Sequence, residues 1–353
     1  MMGTDSTGGT SRGSGKPPVF DFQSFLSWLR GKGYAFSSVD VTRHLYHTYG
    51  FQRLVPYFDF IERACVPAGA CSVDAVHELV RFDEELRVLL VRWIGVVEMQ
   101  VRSRYCQAML DECGPYCLYG ASYFRNERER ASTLHLVDAD LKKHARNNAG
   151  VRRAQSTGDG RVPVWAAVDA VTFGTLRRLY DNTAVPEVAT RVSASFGVNK
   201  KCFRSWLRTL VLVRNCCAHF NPYAVRAQIP AVPKPVIEPA EGGGCGADGT
   251  SSTGTGGAHA DDNASPLYVL AVLDRLLQGR ARAGTEFERE DWHSFRRDAR
   301  QLVGEFAREH PELVQALRIP PGFADRCAAS HFPVIRFKKG PRKEMLWSVS
   351  LAA

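Results

Sequence analysis

The feature of this chain that most restricts its fold is a single apolar stripe between residues 72 and 115. Its members recur every three or four positions: Leu79, Phe82, Leu86, Leu90, Trp93, Val97, Val101 and Tyr105. This spacing is that of one face of an α-helix, whereas a half-buried strand alternates every second residue. Ser72 is placed to cap the start of the helix, and Gly114-Pro115 ends it. One long helix with an apolar face is therefore predicted.

Shorter helical patterns lie on both sides of this stripe, and neither strand alternation nor an internal repeat accompanies them. The predicted fold class is therefore all-α. The predicted organisation is a disordered tail at 1–18, a helical lead-in at 19–75, a helical core at 76–228, a flexible Pro- and Gly-rich linker at 229–266, C-terminal helices at 267–335 that pack on the core, and a basic tail at 336–353.

Within the core, the segment from Trp165 to Tyr180 predicts a helix that is broken at Gly174 and resumes at Leu176. Its aromatic side chains are interpreted as core residues rather than as platforms on which bases stack.

Composition points to a globular protein with a polyanionic partner. Of the 353 residues 44% are hydrophobic, which is ample for a core, and the net charge of +9 favours nucleic acid. The ten cysteines form no CxxC pair and lack zinc-site partners, so reduced thiols, no metal and no cofactor are predicted. Neither an apolar signal segment nor a membrane-spanning run is present, and a cytoplasmic protein is expected.

The candidate catalytic residues are Arg214, Asn215 and His219. Arginine fits phosphate oxygens with a planar fork of donors, and histidine carries protons near neutral pH, so the set suits RNA cleavage without a metal. The spacing between the arginine and the histidine is weak evidence on its own, because it also occurs between Arg130 and His135 and between Arg326 and His331. Context distinguishes the candidate set, since it follows a helical run of Phe203, Leu207, Leu210 and Val211.

The local geometry of this motif depends on where its helix ends. On an unbroken helix Arg214 and His219 would point about 140° apart. Pro222 disfavours helix at Asn221, so the helix is predicted to end or turn near the motif and to let both side chains face one cleft. The alternative, that they make structural hydrogen bonds near a helix terminus, stays open. The neighbouring Cys216 and Cys217 are interpreted as packing residues.

Two further sets of residues are candidates for lining the site or binding RNA. Glu98 and Arg102 are four residues apart, as are Asp83 and Arg87, and each pair is either a surface ion pair or, for Glu98 and Arg102, part of the site. A basic helical segment is either a solvated face or an RNA contact, and its cations are Lys142, Lys143, Arg146, Arg152 and Arg153.

Several short motifs occur in a recognisable order. They are 50–57 (GFQRLVPY), 81–87 (FDEEL between two arginines), 98–102 (EMQVR), 163–165 (PVW), 172–176 (TFGTL), Arg214-Asn215 and 217–219 (CAH). Together they resemble the Abi (abortive infection, AbiD/AbiF-like) family of bacterial HEPN proteins, from about Phe22 to His219 and more weakly to Phe323.

The resemblance implies a HEPN-like helical bundle with extra N- and C-terminal helices, and a metal-independent endoribonuclease that leaves 2′,3′-cyclic phosphate ends. Such a protein acts as the toxic effector of abortive-infection phage defence or of a toxin–antitoxin system. Arg214, Asn215 and His219 take the catalytic role, and two copies of the motif meet in a homodimer. The restraining partner is left open between an antitoxin protein, a small regulatory RNA and autoinhibition.

One departure from the family pattern is visible. The family usually continues after this histidine with a second histidine and an Arg-Leu-Trp-Asn run, whereas this chain reads Phe220-Asn221-Pro222-Tyr223. Two alternative functions remain: a non-catalytic RNA-binding module of the same fold, and a helical scaffold for protein interaction, whose binding would be insensitive to salt.

Overall fold

The computed structural model describes residues 21–64, 71–144, 146–156, 161–236, 262–320 and 323. These ranges contain thirteen α-helices and no strand, only two isolated bridges, and the all-α prediction is confirmed. The predicted tails at 1–18 and 336–353 lie outside the described residues.

The helices fall into a lead-in, a core and a C-terminal group. They are α1 (Phe22–Gly31), α2 (Val39–Tyr49), α3 (Phe51–Arg63), α4 (Val73–Cys113), α5 (Glu127–His144), α6 (Ala149–Ser156), α7 (Val164–Ala170), α8 (Phe173–Asn182), α9 (Pro186–Ser195), α10 (Lys200–Ala218), α11 (Tyr268–Ala283), α12 (Glu286–Glu309) and α13 (Pro311–Leu317).

Helix α4 is the axis of the fold, and its bounds match the prediction. The Ser72 side chain accepts a hydrogen bond from the amide of Ala75 and so caps its first turn. Gly114 ends it with a φ of 78°, a value that favours glycine. All eight residues of the apolar stripe are buried. Burial of so long a face requires cover from several elements, and α2, α3, α7, α8, α9, α10, α11 and α12 all pack against it.

The C-terminal helices complete this cover. Phe82 of α4 stacks on Phe306 of α12 with ring centroids 4.2 Å apart, and Trp93 meets Phe295 edge-on at 5.8 Å. These aromatic contacts fix α12 along α4.

The predicted break at Gly174 is wrong in position. Helix α7 ends at Ala170 and α8 begins at Phe173, so Gly174 lies inside α8. Thr172 causes the break, because its hydroxyl accepts from the amide of Thr175 as an N-cap. The core assignment of the aromatics holds for Phe173 and Tyr180 but not for Trp165, which is 50% exposed.

The first residues of the predicted linker are tied to the core. The hydroxyl of Thr209 donates to the carbonyl of Ala231 at 2.7 Å, and the Trp206 indole donates to that of Lys234 at 2.7 Å. Ile229 is buried. Residues 229–236 therefore do not form the predicted flexible linker. The central part of the predicted linker, residues 237–261, lies outside the described residues.

Within the described ranges, every helix is too short or too polar to cross a bilayer.

Candidate functional site at the end of helix α10

The candidate motif lies at the carboxyl end of α10. Asn199 caps the start of this helix, and the helical residues run to Ala218, so that His219 is its C-cap. The His219 amide still donates to the carbonyl of Asn215 at 3.1 Å. The chain turns at the next residue, because Phe220 adopts a left-handed φ of 56°. The helix therefore ends close to the motif, as predicted.

His219 remains tied to the helix through its backbone, because its amide donates to a carbonyl of the preceding turn. Among the described contacts, the side chains of Arg214 and His219 form no hydrogen bond with each other. That both side chains of one chain face a single cleft stays a prediction.

Arg214 is held by its neighbours on α10 and α4. Its guanidinium donates to the Asn215 side-chain oxygen at 3.3 Å, and its Nε lies 4.0 Å from Oε2 of Glu98. The Arg214 side chain is still 42% exposed, whereas that of Glu98 is only 12% exposed. Glu98 thus lines the site beneath Arg214 and leaves part of the guanidinium free for a ligand.

Arg102 plays a structural part beside it. Its guanidinium donates to Oε1 of Glu98 and to the carbonyls of Val168 and Val171, the latter at 2.8 Å. Both partners of the Glu98–Arg102 pair are 12% exposed, so the surface ion-pair interpretation is wrong. Because all three nitrogens of Arg102 are engaged, this residue joins α4 to the end of α7 and orients Glu98.

The turn after His219 is fixed by a residue that the sequence did not single out for this role. Asp83 of α4 is fully buried and accepts hydrogen bonds from the amides of Tyr223 and Ala224, at 3.0 and 2.6 Å, and from the hydroxyl of Tyr57 at 2.6 Å. Arg87 also donates to it. The Asp83–Arg87 pair, interpreted from the sequence as a surface ion pair, is therefore a buried anchor for the chain that leaves the motif.

A second contact holds the same turn from α3. Arg53 donates to the carbonyl of Phe220 at 3.0 Å. Arg53 belongs to the 50–57 motif, and Asp83 and Arg87 to the 81–87 motif. Both of these motifs therefore contribute side chains that hold the segment 220–224.

The two cysteines of the motif face the core. Cys216 and Cys217 are buried, which confirms their interpretation as packing residues. Burial raises the pKa of the Cys216 thiol and raises that of Cys217 far above its ordinary range. Neither thiol is therefore available as a thiolate nucleophile near neutral pH.

Lys142, Lys143 and Arg146 lie at the exposed carboxyl end of α5 and just beyond it. Within the part of the chain that the structure describes, none of them is bonded to Glu98, Arg214 or His219. These three cations are accessible to solvent, and their role in binding RNA stays a prediction.

No group of three or more His, Cys, Asp or Glu side chains that could hold a metal ion occurs in the described ranges.

Comparison with known proteins locates the chain in a family. The family model described as Abi-like protein matches residues 44–222, slightly more than half of the 353 residues. The chain belongs to the Abi-like protein family. The match covers α4, α10, the motif and the anchored turn after it. No curated protein and no solved structure matches the chain. Membership supports a general role in abortive infection, the defence of bacteria against phage.

Proposed function

We propose that this Abi-like protein is a metal-independent endoribonuclease of the HEPN type, which acts as the toxic effector of abortive infection or of a toxin–antitoxin system. The observation that carries the proposal is the accessibility of its polar motif. Asn215 and His219 are exposed, and Arg214 is partly so. Among the described residues none hydrogen-bonds to the His219 imidazole, which does not fit a histidine kept for structural hydrogen bonds.

The chemistry available to this set is transesterification of RNA. A base removes the proton of a ribose 2′-hydroxyl, whose oxygen attacks the adjacent phosphorus. The bond from phosphorus to the 5′-oxygen breaks, and an acid protonates that oxygen. A 2′,3′-cyclic phosphate and a 5′-hydroxyl result. Histidine serves as base or acid, and the guanidinium of Arg214 stabilises the charge that develops on the phosphoryl oxygens.

One chain supplies one motif histidine, whereas the reaction needs both a base and an acid. A second copy of the motif provides the missing proton carrier, so the proposal includes a homodimer. Its support is that the two helices that hold Arg214 and Glu98, and the turn after the motif, carry exposed apolar side chains: Val88, Val91 and Met99 on α4, Leu212 on α10, and Phe220. A two-fold interface would bury the same patch on both chains and bring the two motifs together.

The decisive experiment compares His219→Ala with His135→Ala. The control histidine is also exposed and follows an arginine at the same spacing, but that arginine, Arg130, pairs with Glu127 on α5. We expect His219→Ala to lower RNA cleavage about 10²- to 10⁴-fold and to abolish toxicity on induction, while His135→Ala behaves as wild type. Wild-type cleavage persists in EDTA. A variant His219→Ala that cleaves at the normal rate, or strict dependence on a divalent ion, contradicts the proposal.

A non-catalytic RNA-binding module is the second candidate. The observation that favours it is the use of residues 221–224 as a structural turn on Asp83, where the family's second histidine and its Arg-Leu-Trp-Asn run are missing. RNA binding without cleavage by the wild-type protein would select this function.

A further inference from the structure

A cleft rich in arginine lies on the same helix as the motif but nearer to its start. It has a volume of about 610 Å³ and is formed by α8, α10, Arg125 and residues 230–232 of the segment that follows the motif turn. Its lining includes four arginines and one carboxylate: Arg125, Arg177, Arg204, Arg208 and Asp181.

The walls of this cleft are held by side chains of α10. The Ser205 hydroxyl accepts from the amide of Lys234 at 2.9 Å, and Thr209 donates to the carbonyl of Ala231 at 2.7 Å. Pro230, Ala231 and Val232 therefore form a fixed rim opposite α8. The cleft is part of the packed structure and not a gap between loose segments.

The charges in the cleft do not balance. Asp181 accepts from Arg177 at 2.6 Å, and its other oxygen lies 3.9 Å from Nε of Arg204. That oxygen and that nitrogen are buried and have no hydrogen-bond partner within the described structure. Burial raises the pKa of the Asp181 carboxyl, and the positive charges of the four arginines that line the cleft oppose this shift.

Arg125 and Arg208 are exposed, and no described carboxylate pairs with either side chain. One carboxylate thus faces four permanent cations. A structural ion-pair network would need further acids, whereas an anionic ligand would use the surplus donors.

The cleft and the motif are connected along one face of α10. Arg204, Arg208, Leu212, Asn215 and His219 follow each other at intervals of three or four residues, and all but the partly buried Arg204 are exposed. At about 1.5 Å per residue, Arg208 and His219 are roughly 16 Å apart along the helix axis. A stacked strand that rises about 3.4 Å per nucleotide covers this distance with about five nucleotides.

We propose that the arginine cleft binds the phosphodiester backbone of the same RNA strand that is cut at the motif, about five nucleotides from the scissile phosphate. The inference rests on the proposed ribonuclease function. Arg125 and Arg208 contact phosphates, while Arg177 and Arg204 are positioned by Asp181. The cleft contributes affinity and register and takes no part in the chemical step.

The test measures binding of single-stranded RNA to full-length protein that carries His219→Ala, so that the strand stays intact. The cleft variant adds Arg125→Gln and Arg208→Gln, both at exposed positions. The matched control adds Arg128→Gln and Arg178→Gln, two exposed arginines on α5 and α8 outside the cleft, which give the same loss of charge. Dissociation constants are measured for RNAs of three and ten nucleotides as a function of salt concentration.

We expect the cleft variant to bind the ten-nucleotide RNA at least about tenfold more weakly than the parent, with a log–log salt slope reduced by about 1.4 for two lost phosphate contacts. The three-nucleotide RNA is too short to reach both places at once, so it binds the parent more weakly than the ten-nucleotide RNA does and loses less affinity in the cleft variant. The control pair leaves the slope of the ten-nucleotide RNA near that of the parent. Equal effects of the cleft and control pairs would overturn the proposal, because they would reduce the cleft to general charge.

A free phosphate ester is the other source of the same ligand chemistry. Competition with a nucleoside monophosphate distinguishes it: if the cleft pair abolishes monophosphate binding and leaves the affinity for ten-nucleotide RNA unchanged, the strand assignment is wrong.

The same cleft substitutions in protein with an intact His219 separate this proposal from the proposed function. Cleavage with a raised KM and an unchanged kcat supports a binding cleft. Cleavage with unchanged KM refutes the cleft but leaves the ribonuclease proposal standing. If the protein with intact His219 never cleaves RNA, but the cleft substitutions remove its salt-dependent RNA binding, then the ribonuclease proposal alone is refuted.

Discussion

Asp83 is the residue on which the geometry of the motif's exit depends. Its carboxylate receives two backbone amides, a tyrosine hydroxyl and a guanidinium in a fully buried place. Helix α4 and the turn after α10 are about 140 residues apart in sequence at this contact. A buried charge is tolerated there because every neighbour is a donor.

We expect Asp83→Asn to destabilise the protein. Asparagine keeps one acceptor oxygen but replaces the other with an NH2 group, which faces groups that are themselves donors, and we expect the free energy of unfolding to fall by roughly 3 kcal/mol. Urea denaturation measures the change. Asp59→Asn, at an exposed position on α3, serves as the control and should stay close to wild type. Equal stability of the two variants would show that the buried network contributes little.

At the scale of elements, the packing of α11 against the end of α9 depends on one glycine. A Cβ built on Gly279 would lie 1.8 Å from the carbonyl oxygen of Phe196, which is backbone and cannot move aside as a side chain would. Gly197, which follows Phe196, has a φ of 63°, and its carbonyl accepts a hydrogen bond from Arg275 at 2.7 Å. Helix α11 thus approaches this turn closely enough to exclude any side chain at position 279.

We therefore expect Gly279→Ala to lower the free energy of unfolding by roughly 3 kcal/mol, since the added methyl must push two backbones apart. Gly174→Ala in α8 is the matched change, because the nearest atom to its Cβ, in Val211, would be an ordinary 3.8 Å away. That variant should equal the wild type or exceed it slightly, as alanine favours helix. Thermal and urea unfolding of both variants would decide, and a stable Gly279→Ala protein would contradict the close approach.

For the whole molecule, the central question is whether two chains build one site. Among the described contacts no hydrogen bond joins Arg214 to His219 of the same chain, and the exposed apolar side chains of α4 and of the segment around the motif lack cover in the described structure. Both observations are accounted for by the proposed homodimer, in which each chain contributes its motif across a two-fold axis.

Mixing two inactive proteins tests this assembly. A His219→Ala chain and an Arg214→Ala chain form a mixed dimer that retains one histidine and one arginine on different chains. Because this mixed dimer keeps a single motif histidine, only part of the wild-type cleavage activity should return after the two are unfolded and refolded together, and neither protein refolded alone should reach that level. Size measurement should give the mass of two chains. An active monomer would refute the shared site.

The helices themselves were determined by the sequence alone. Periodicity and caps are local, so the stripe from Leu79 to Tyr105, Ser72 and Gly114 were enough to predict α4, and the order of short motifs pointed to the family whose model matches. Helix α9 was missed because its small apolar residues give a weak pattern, although α9 packs closely on α4.

The tertiary structure alone decided which charges are buried and which are free. Pairs four residues apart look the same in sequence whether they face solvent or the core, so Asp83–Arg87 and Glu98–Arg102 could not be told from surface pairs. The arginine cleft joins Arg125 to residues more than 50 positions away. Such groupings depend on how helices pack, and the spacing of residues along one helix carries no information about the charges that another helix brings beside them.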